Sequence, residues 1–290
     1  MLPISRILVP VDFSDRCLGM MPYVKAIAAR YSAEVALLHV VDPFYNIPAT
    51  GLSGPVMIPI SPSVLGERAK QMDQFAVAEL EGLRVRRLVY EGDPVSQIVS
   101  FAQAEGAPLI AMPTRGYGVL RRFLIGSVTS KILHDTACPV LTGVHTENLP
   151  ASGAVRFSNI LCAIDLGPQS QEILAWASQL ATDFHAKLGI VHSITSLDPG
   201  LPFVSSPQFR MELETVARQD VEKLQITVGA ESATVHVAGG EPAKAVSTLA
   251  ESIRADLLVI GRGPQDGSTG RLPTNAYAII RQSPCPVISV

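Results

Sequence analysis

Read for its apolar positions, the chain alternates two textures. Short aliphatic runs such as ILVPV at 7–11 and VALLHVV at 35–41 alternate with longer segments whose apolar residues recur at helical spacing. In the first half this pattern predicts strands at 7–11, 35–41, 85–90, 109–112 and 140–142, and helices at 17–31, 66–82, 94–106 and 127–135. The strands are apolar throughout, as strands are when both faces of a parallel sheet are covered. Strands joined through helices give the α/β class, a doubly wound (Rossmann-like) sheet with helices on both faces. In that class ligands sit outside the carboxyl ends of the strands, where strand order reverses. Asp12, Val40 and the 112–127 loop all fall at such ends.

The whole pattern then repeats. RILVPVDFS (6–14) matches NILCAIDLG (159–167), so that Asp12 and Asp165 are offset by 153 residues, as are His39 and His192. EGDPVSQIVSFAQAEGAPLIAM matches GGEPAKAVSTLAESIRADLLVI at an offset of 148, and ACPVL matches PCPVI at 147. The drift means two copies that differ in loop length. Much of the difference lies in a Pro/Gly-rich insertion at 43–66 that shows no helical period. The polar, Pro- and Gly-bearing stretch TENLPASGAV marks the join. We therefore expect one domain over 1–145, a linker over 146–156 and a second domain over 157–290, each a five-stranded, mostly parallel sheet.

Composition narrows the class. The chain has 290 residues, about twice the usual domain size of roughly 100–150 residues. With 47% hydrophobic and 17% charged residues it has the apolar material for two cores. Its apolar runs fall short of the roughly 20 residues that a helical membrane span needs, and its first residues lack a secretory apolar segment, so we expect a cytoplasmic protein without a membrane partner. A net charge of −3 argues against nucleic acid as a partner. The four cysteines, Cys17, Cys138, Cys162 and Cys285, have neither metal-ligand nor disulfide-framework spacing and read as buried thiols. No metal site is expected, since no His pairs with a Cys or carboxylate at zinc spacing.

The most informative loop is MPTRGYGVLRRFLIGS, residues 112–127. Pro113-Thr-Arg-Gly116, nine further residues, Gly126-Ser127 and a closing CPVL resemble the universal stress protein family, whose ATP-binding members carry Gly-x2-Gly-x9-Gly-[Ser/Thr] after the fourth strand. PVD at 10–12 and GDP at 92–94 match as well, so the resemblance covers nearly the whole chain as two tandem copies. It departs at Pro113, where the family has its first Gly. The chemistry fits a phosphate loop: Gly116 and Gly126 let backbone approach an anion and can supply positive φ, while Ser127 and the amides of Val128 and Thr129 open a helix. The resemblance implies that Asp12 meets the ribose or adenine side, that Val11, Val40 and Met112 wall the base and that Arg115 lies near the phosphates, with Pro10 and Pro113 also in the nucleotide site. The implied ligand is ATP, alone or with Mg2+, or AMP. By the same resemblance the strands at 139–143 and 286–290 pair as an internal pseudo-dimer, with a further homo-oligomer left open.

Local readings compete with these. Asp12 also reads as a cap of the following helix, with Ser14 and Asp15 as rivals, and Gly-Ser also reads as a plain helix start. Asp93 reads as a cap with Pro94 at the first helical position. Arg121 and Arg122 read either as a solvated patch or as an aid in steering phosphate. In the second copy the corresponding loop, GRGPQDGSTGRLPTNAY, has Pro273-Thr274 at the Gly-Ser position and Ser193 in place of Val40. It keeps Asp165, Gly261 and Thr274 as the members of a degenerate second site. Three functions remain: a nucleotide-binding stress-response sensor or regulator, a non-binding scaffold acting through protein contacts, and an ATP-consuming enzyme. The last has no candidate base beyond Asp12 and no Walker-type Lys, although slow hydrolysis stays open.

Overall fold

A computed structural model describes residues 2–43, 60–114, 125–143, 155–197, 207–263 and 274–290. By contacts the described residues divide into two compact units, one within 3–138 and the other formed by residue 2 with 139–143 and the described part of 155–290.

In the first of these units the central strands are β1 (Arg6–Pro10), β2 (Glu34–Val41), β3 (Val85–Glu91) and β4 (Leu109–Pro113). They lie in the order β3-β2-β1-β4, all parallel. Chain order runs outward from β1 to β3 on one side and resumes with β4 on the other, which puts the reversal of strand order between β1 and β4. Ile7, Leu8 and Val9 of β1 and Leu109, Ile110 and Ala111 of β4 are fully covered, as unbroken apolar strands in a two-sided sheet must be. The covering helices are α1 (Asp15–Leu18), α2 (Met21–Tyr31), α3 (Pro62–Gln74), α4 (Pro94–Ala104) and α5 (Ser127–Asp135).

Two of the expected helices differ from the sequence reading. The single helix expected at 17–31 is broken into α1 and α2, because Pro22 in the first turn of α2 has no amide to donate and its ring bars a continuous helix through residue 18. Helix α3 starts within the stretch that showed no helical period, at Pro62, where the Ser61 side chain accepts the Ser63 amide and proline suits the first turn. It ends at Gln74 rather than near 82, since Phe75 turns extended and Ala76 takes φ +53°. Asp93 caps α4 as expected, its carboxylate accepting the Ser96 amide at 2.8 Å. Residues 44–59 of the insertion lie outside the described residues.

The second unit holds β5 (Val140–Gly143), β6 (Asn159–Ile164), β7 (Lys187–Ile194), β8 (Thr234–Gly239), β9 (Leu257–Ile260) and β10 (Val287–Ser289). Helices α6 (Ser170–Phe184), α7 (Pro207–Val228), α8 (Pro242–Ser252) and α9 (Thr274–Gln282) accompany them. The order β8-β7-β6-β9-β10 repeats the plan of the first unit and is parallel throughout. The closing strand of the first sequence copy, β5, belongs to this unit by contacts and pairs antiparallel with β10, Leu141 opposite Ile288. Two apolar closing strands thus pair with each other, which covers edges that are otherwise open to aggregation.

Candidate functional site

The base of the 112–127 loop is fixed by three bonds. The Gly126 amide donates to the Thr114 carbonyl at 2.8 Å, and the Thr129 hydroxyl, itself buried, donates to the Pro113 carbonyl at 3.1 Å. Within α5 the first amide to find a helical partner is that of Ser130, on the Gly126 carbonyl. Together these bonds hold the start of α5 beside the end of β4. Gly126 occupies the N-cap position and, having no side chain, offers no cap to the amides of the first turn. The expectation that Gly126 supplies positive φ is corrected: it has φ −60° and ψ 150°, an extended conformation open to any residue. What a glycine contributes there is the missing Cβ. Arg115, Gly116, Arg121 and Arg122 lie outside the described residues.

Across the crevice, β1 delivers the second part. Val11, one residue past the strand, donates its amide to the Leu38 carbonyl at 2.8 Å. Asp12 follows, half-buried, and Phe13 turns the chain at φ +62°. Asp12 does not cap α1. Ser14 is the cap, accepting the Cys17 amide, while the Asp12 Oδ1 accepts the Ser14 amide at 3.0 Å and the Ser14 hydroxyl at 2.6 Å. Asp12 is therefore built into a turn that holds its carboxylate at the carboxyl end of β1. Val11 and Met112 are almost entirely covered, at 5% exposure each, and Val40 is half-buried, so the apolar wall implied for a base has only Val40 with appreciable open surface. Pro10 closes β1 and Pro113 closes β4, one on each side of the reversal point. The charged cluster of Arg6, Glu34, Arg86 and Glu105 belongs to the opposite end of this sheet, with Arg6 3.0 Å from Glu34 and Arg86 3.1 Å from Glu105.

The model of the universal stress protein family matches residues 3–142 and again 156–290. The chain belongs to the universal stress protein family. A universal stress protein of Methanocaldococcus jannaschii is 35% identical over 145 residues, 47% of this chain and 80% of the relative. One from Mycolicibacterium smegmatis is 24% identical over 287 residues, covering 96% of this chain and 93% of its own, so it shares the tandem plan. The crystal structure of a universal stress protein from Archaeoglobus fulgidus superposes with a TM-score of 0.68 over 98% of this chain and 95% of its own at 24% identity, which shows the fold.

The second universal stress protein repeat keeps the turn and changes the rest. Asp165 accepts the Gly167 amide at 2.8 Å and the Ser170 hydroxyl at 3.1 Å, and Leu166 has φ +61°, matching Phe13. Ser193, at the position of Val40, donates its hydroxyl to the Gly240 carbonyl at 2.9 Å, so this polar substitution serves the backbone. Gly261 stands where the first repeat has Pro113. A Cβ built on it would collide with Cδ1 of Ile173 on α6, which makes the glycine a matter of helix packing. The residue at the position of Ile173 in the first repeat is Met20, fully buried and unbranched. A flexible thioether chain adapts to a larger neighbour more readily than a β-branched one does. Thr274 begins α9.

Burial pushes the thiols of Cys17 and Cys162 up to about 12 and that of Cys285 to about 11, which leaves them protonated and unreactive. Among the described residues no group of three or more His, Cys, Asp or Glu side chains could hold a metal, and no helix is long and apolar enough to cross a membrane. His39 and His236 both titrate below the ordinary histidine value, chiefly through burial, with Arg68 and Arg218 respectively adding to the shift. A base whose folded value is lowered lends stability that is complete above its unfolded value, about 6.5, and is lost as pH falls from there through the folded value. The urea midpoint is therefore expected to hold between pH 7 and 8 and to decline below about pH 6.5, with a shallower decline in His39→Asn. The lowered carboxylate of Asp93, held by the amide and hydroxyl of Ser96, acts in a separate window below its ordinary value of 3.8.

Proposed function

We propose that the N-terminal repeat binds an adenine nucleotide, ATP or AMP, and that the protein acts as a sensor or regulator whose conformation follows that nucleotide. The observation that carries this reading is the uncapped first turn of α5 beside the end of β4, across the strand-order reversal from Asp12 at the end of β1. Amides of a helix N-terminus favour phosphate oxygens, and the crevice is where α/β sheets of this order take ligands. Asp12 takes the ribose or adenine side, Val40 and the edges of Val11 and Met112 the base, and Ser127 with the Val128 and Thr129 amides the phosphates. Mg2+, where ATP is the ligand, would accompany its phosphates.

One feature favours the scaffold reading. Pro113 has no amide and that of Gly126 is already given to Thr114, so two backbone donors are withdrawn from a phosphate. Calorimetric titration with ATP decides between the two. On the nucleotide reading, Ser127→Ala removes a hydrogen bond to a charged group worth about 1.5–3 kcal/mol and weakens ATP by roughly tenfold or more. A wild type that shows no heat of binding supports the scaffold.

A further inference from the structure

The Asp12 turn and the Asp165 turn share a construction that neither needs as a mere link between strand and helix. In the first, the Val11 carbonyl lies 2.7 Å from Nδ1 of His39; in the second, the Ile164 carbonyl lies 3.0 Å from Nδ1 of His192. A carbonyl only accepts, so each imidazole carries its proton on Nδ1 and donates it. Both histidines come from the neighbouring strand, 28 residues along, and each grips the carbonyl just before the aspartate. The residue after each aspartate, Phe13 or Leu166, is held at positive φ, φ +62° or +61°. A large side chain avoids that conformation unless its surroundings impose it, and the same departure in the same place twice marks a turn held to a set shape.

The two turns differ in what covers the histidine. In the first repeat the Phe13 ring lies 4.5 Å from that of His39 and meets Phe75 edge-on at 5.6 Å. In the second repeat Leu166 replaces Phe13, and a groove of about 300 Å³ lies among Leu166, Gly167, Ser170, Asp220 and Lys223. Among the described residues, this aromatic cover is found in the repeat whose phosphate-loop spacing is intact.

We infer that His39 is a positioning residue of the nucleotide site: clamped under Phe13 and bonded to the Val11 carbonyl, it fixes the backbone that carries Asp12 and so sets where that carboxylate meets the ligand. The inference rests on the nucleotide reading of the N-terminal repeat. His39 acts through Asp12 and makes no contact with the ligand of its own. His192 performs the same service for the Asp165 turn and has no bearing on the first site.

The test uses three variants of the full chain. His39→Asn keeps an amide donor close to the place of Nδ1, His39→Leu keeps bulk without a donor, and His192→Leu breaks the equivalent bond in the other repeat. ATP affinity is read by calorimetry, stability by thermal melting, and the Asp12 turn by hydrogen exchange of the Ser14 amide, which donates to Asp12. His39→Leu is expected to weaken ATP about tenfold and to speed Ser14 exchange, and His39→Asn to bring both back to within about threefold of wild type. His192→Leu is expected to lower the melting temperature as His39→Leu does and to leave ATP affinity unchanged. Equal ATP affinity in His39→Leu and wild type, or equal weakening by His39→Leu and His192→Leu, overturns the inference. If His39→Leu does not fold, His39→Gln, whose amide reaches the place of Nε2 instead, carries the same expectation. If wild type binds no ATP, the nucleotide reading falls, and the Ser14 exchange alone decides: unchanged exchange in His39→Leu overturns the positioning role, faster exchange restored by Asn upholds it.

Discussion

Replacing Gly126 by valine is expected to weaken ATP binding about a hundredfold, equivalent to about 2.7 kcal/mol, while leaving the fold intact. The two halves of this expectation have separate origins. The fold survives because Gly126 sits at φ −60° and ψ 150°, a region that a β-branched residue occupies without strain, and because its amide keeps the bond to Thr114. Binding suffers because an isopropyl group at the N-cap stands in front of the amides of Ser127 and Val128, where a phosphate oxygen has to approach to hydrogen-bond distance. Calorimetry with ATP and a thermal melt of the same sample check both halves. A variant that binds ATP as wild type does would remove the start of α5 from the site.

A second large effect concerns stability. Ile288 is fully buried in β10, opposite Leu141 of β5 on one side and Val259 of β9 on the other. Ile288→Ala is expected to cost about 2–5 kcal/mol, the sum of lost apolar transfer and the cavity left behind. A short strand between two neighbours has little freedom to collapse around a void, which favours the upper part of that range. Urea denaturation followed by circular dichroism measures it, and a loss under about 1 kcal/mol would mean that β10 is not packed as described.

Much of the architecture was readable from the apolar runs. Strands with no polar face and helices with one declare a two-sided parallel sheet, and the repeated offsets of Asp12 with Asp165 and His39 with His192 declare two copies of it. Element ends were less legible where proline carries two meanings. Pro62 and Pro22 both open helices, yet one lay in a stretch that read as loop and the other in a stretch that read as continuous helix. At the site, spacing pointed to Gly126 and Ser127, because a phosphate loop is a local pattern, while Asp12 and Met112 entered through the ends of their strands and the resemblance to the family. The withdrawal of the Gly126 amide by Thr114 is a closure across the loop and leaves no trace in spacing. The bond from His39 to Val11 spans two strands and has no local signature. Its one mark in the sequence was a histidine at the same place in both copies.

On the proposed function, this universal stress protein takes its nucleotide in the N-terminal repeat alone. Native mass spectrometry of the full chain with ATP counts the bound nucleotides. With ATP near the wild-type Kd, a single nucleotide per chain is expected in wild type and in Asp165→Asn, and almost none in Gly126→Val, whose affinity is about a hundredfold lower. A wild type that takes up none even at high ATP, or a Gly126→Val variant that holds its nucleotide as wild type does while Asp165→Asn loses it, would refute binding in the N-terminal repeat.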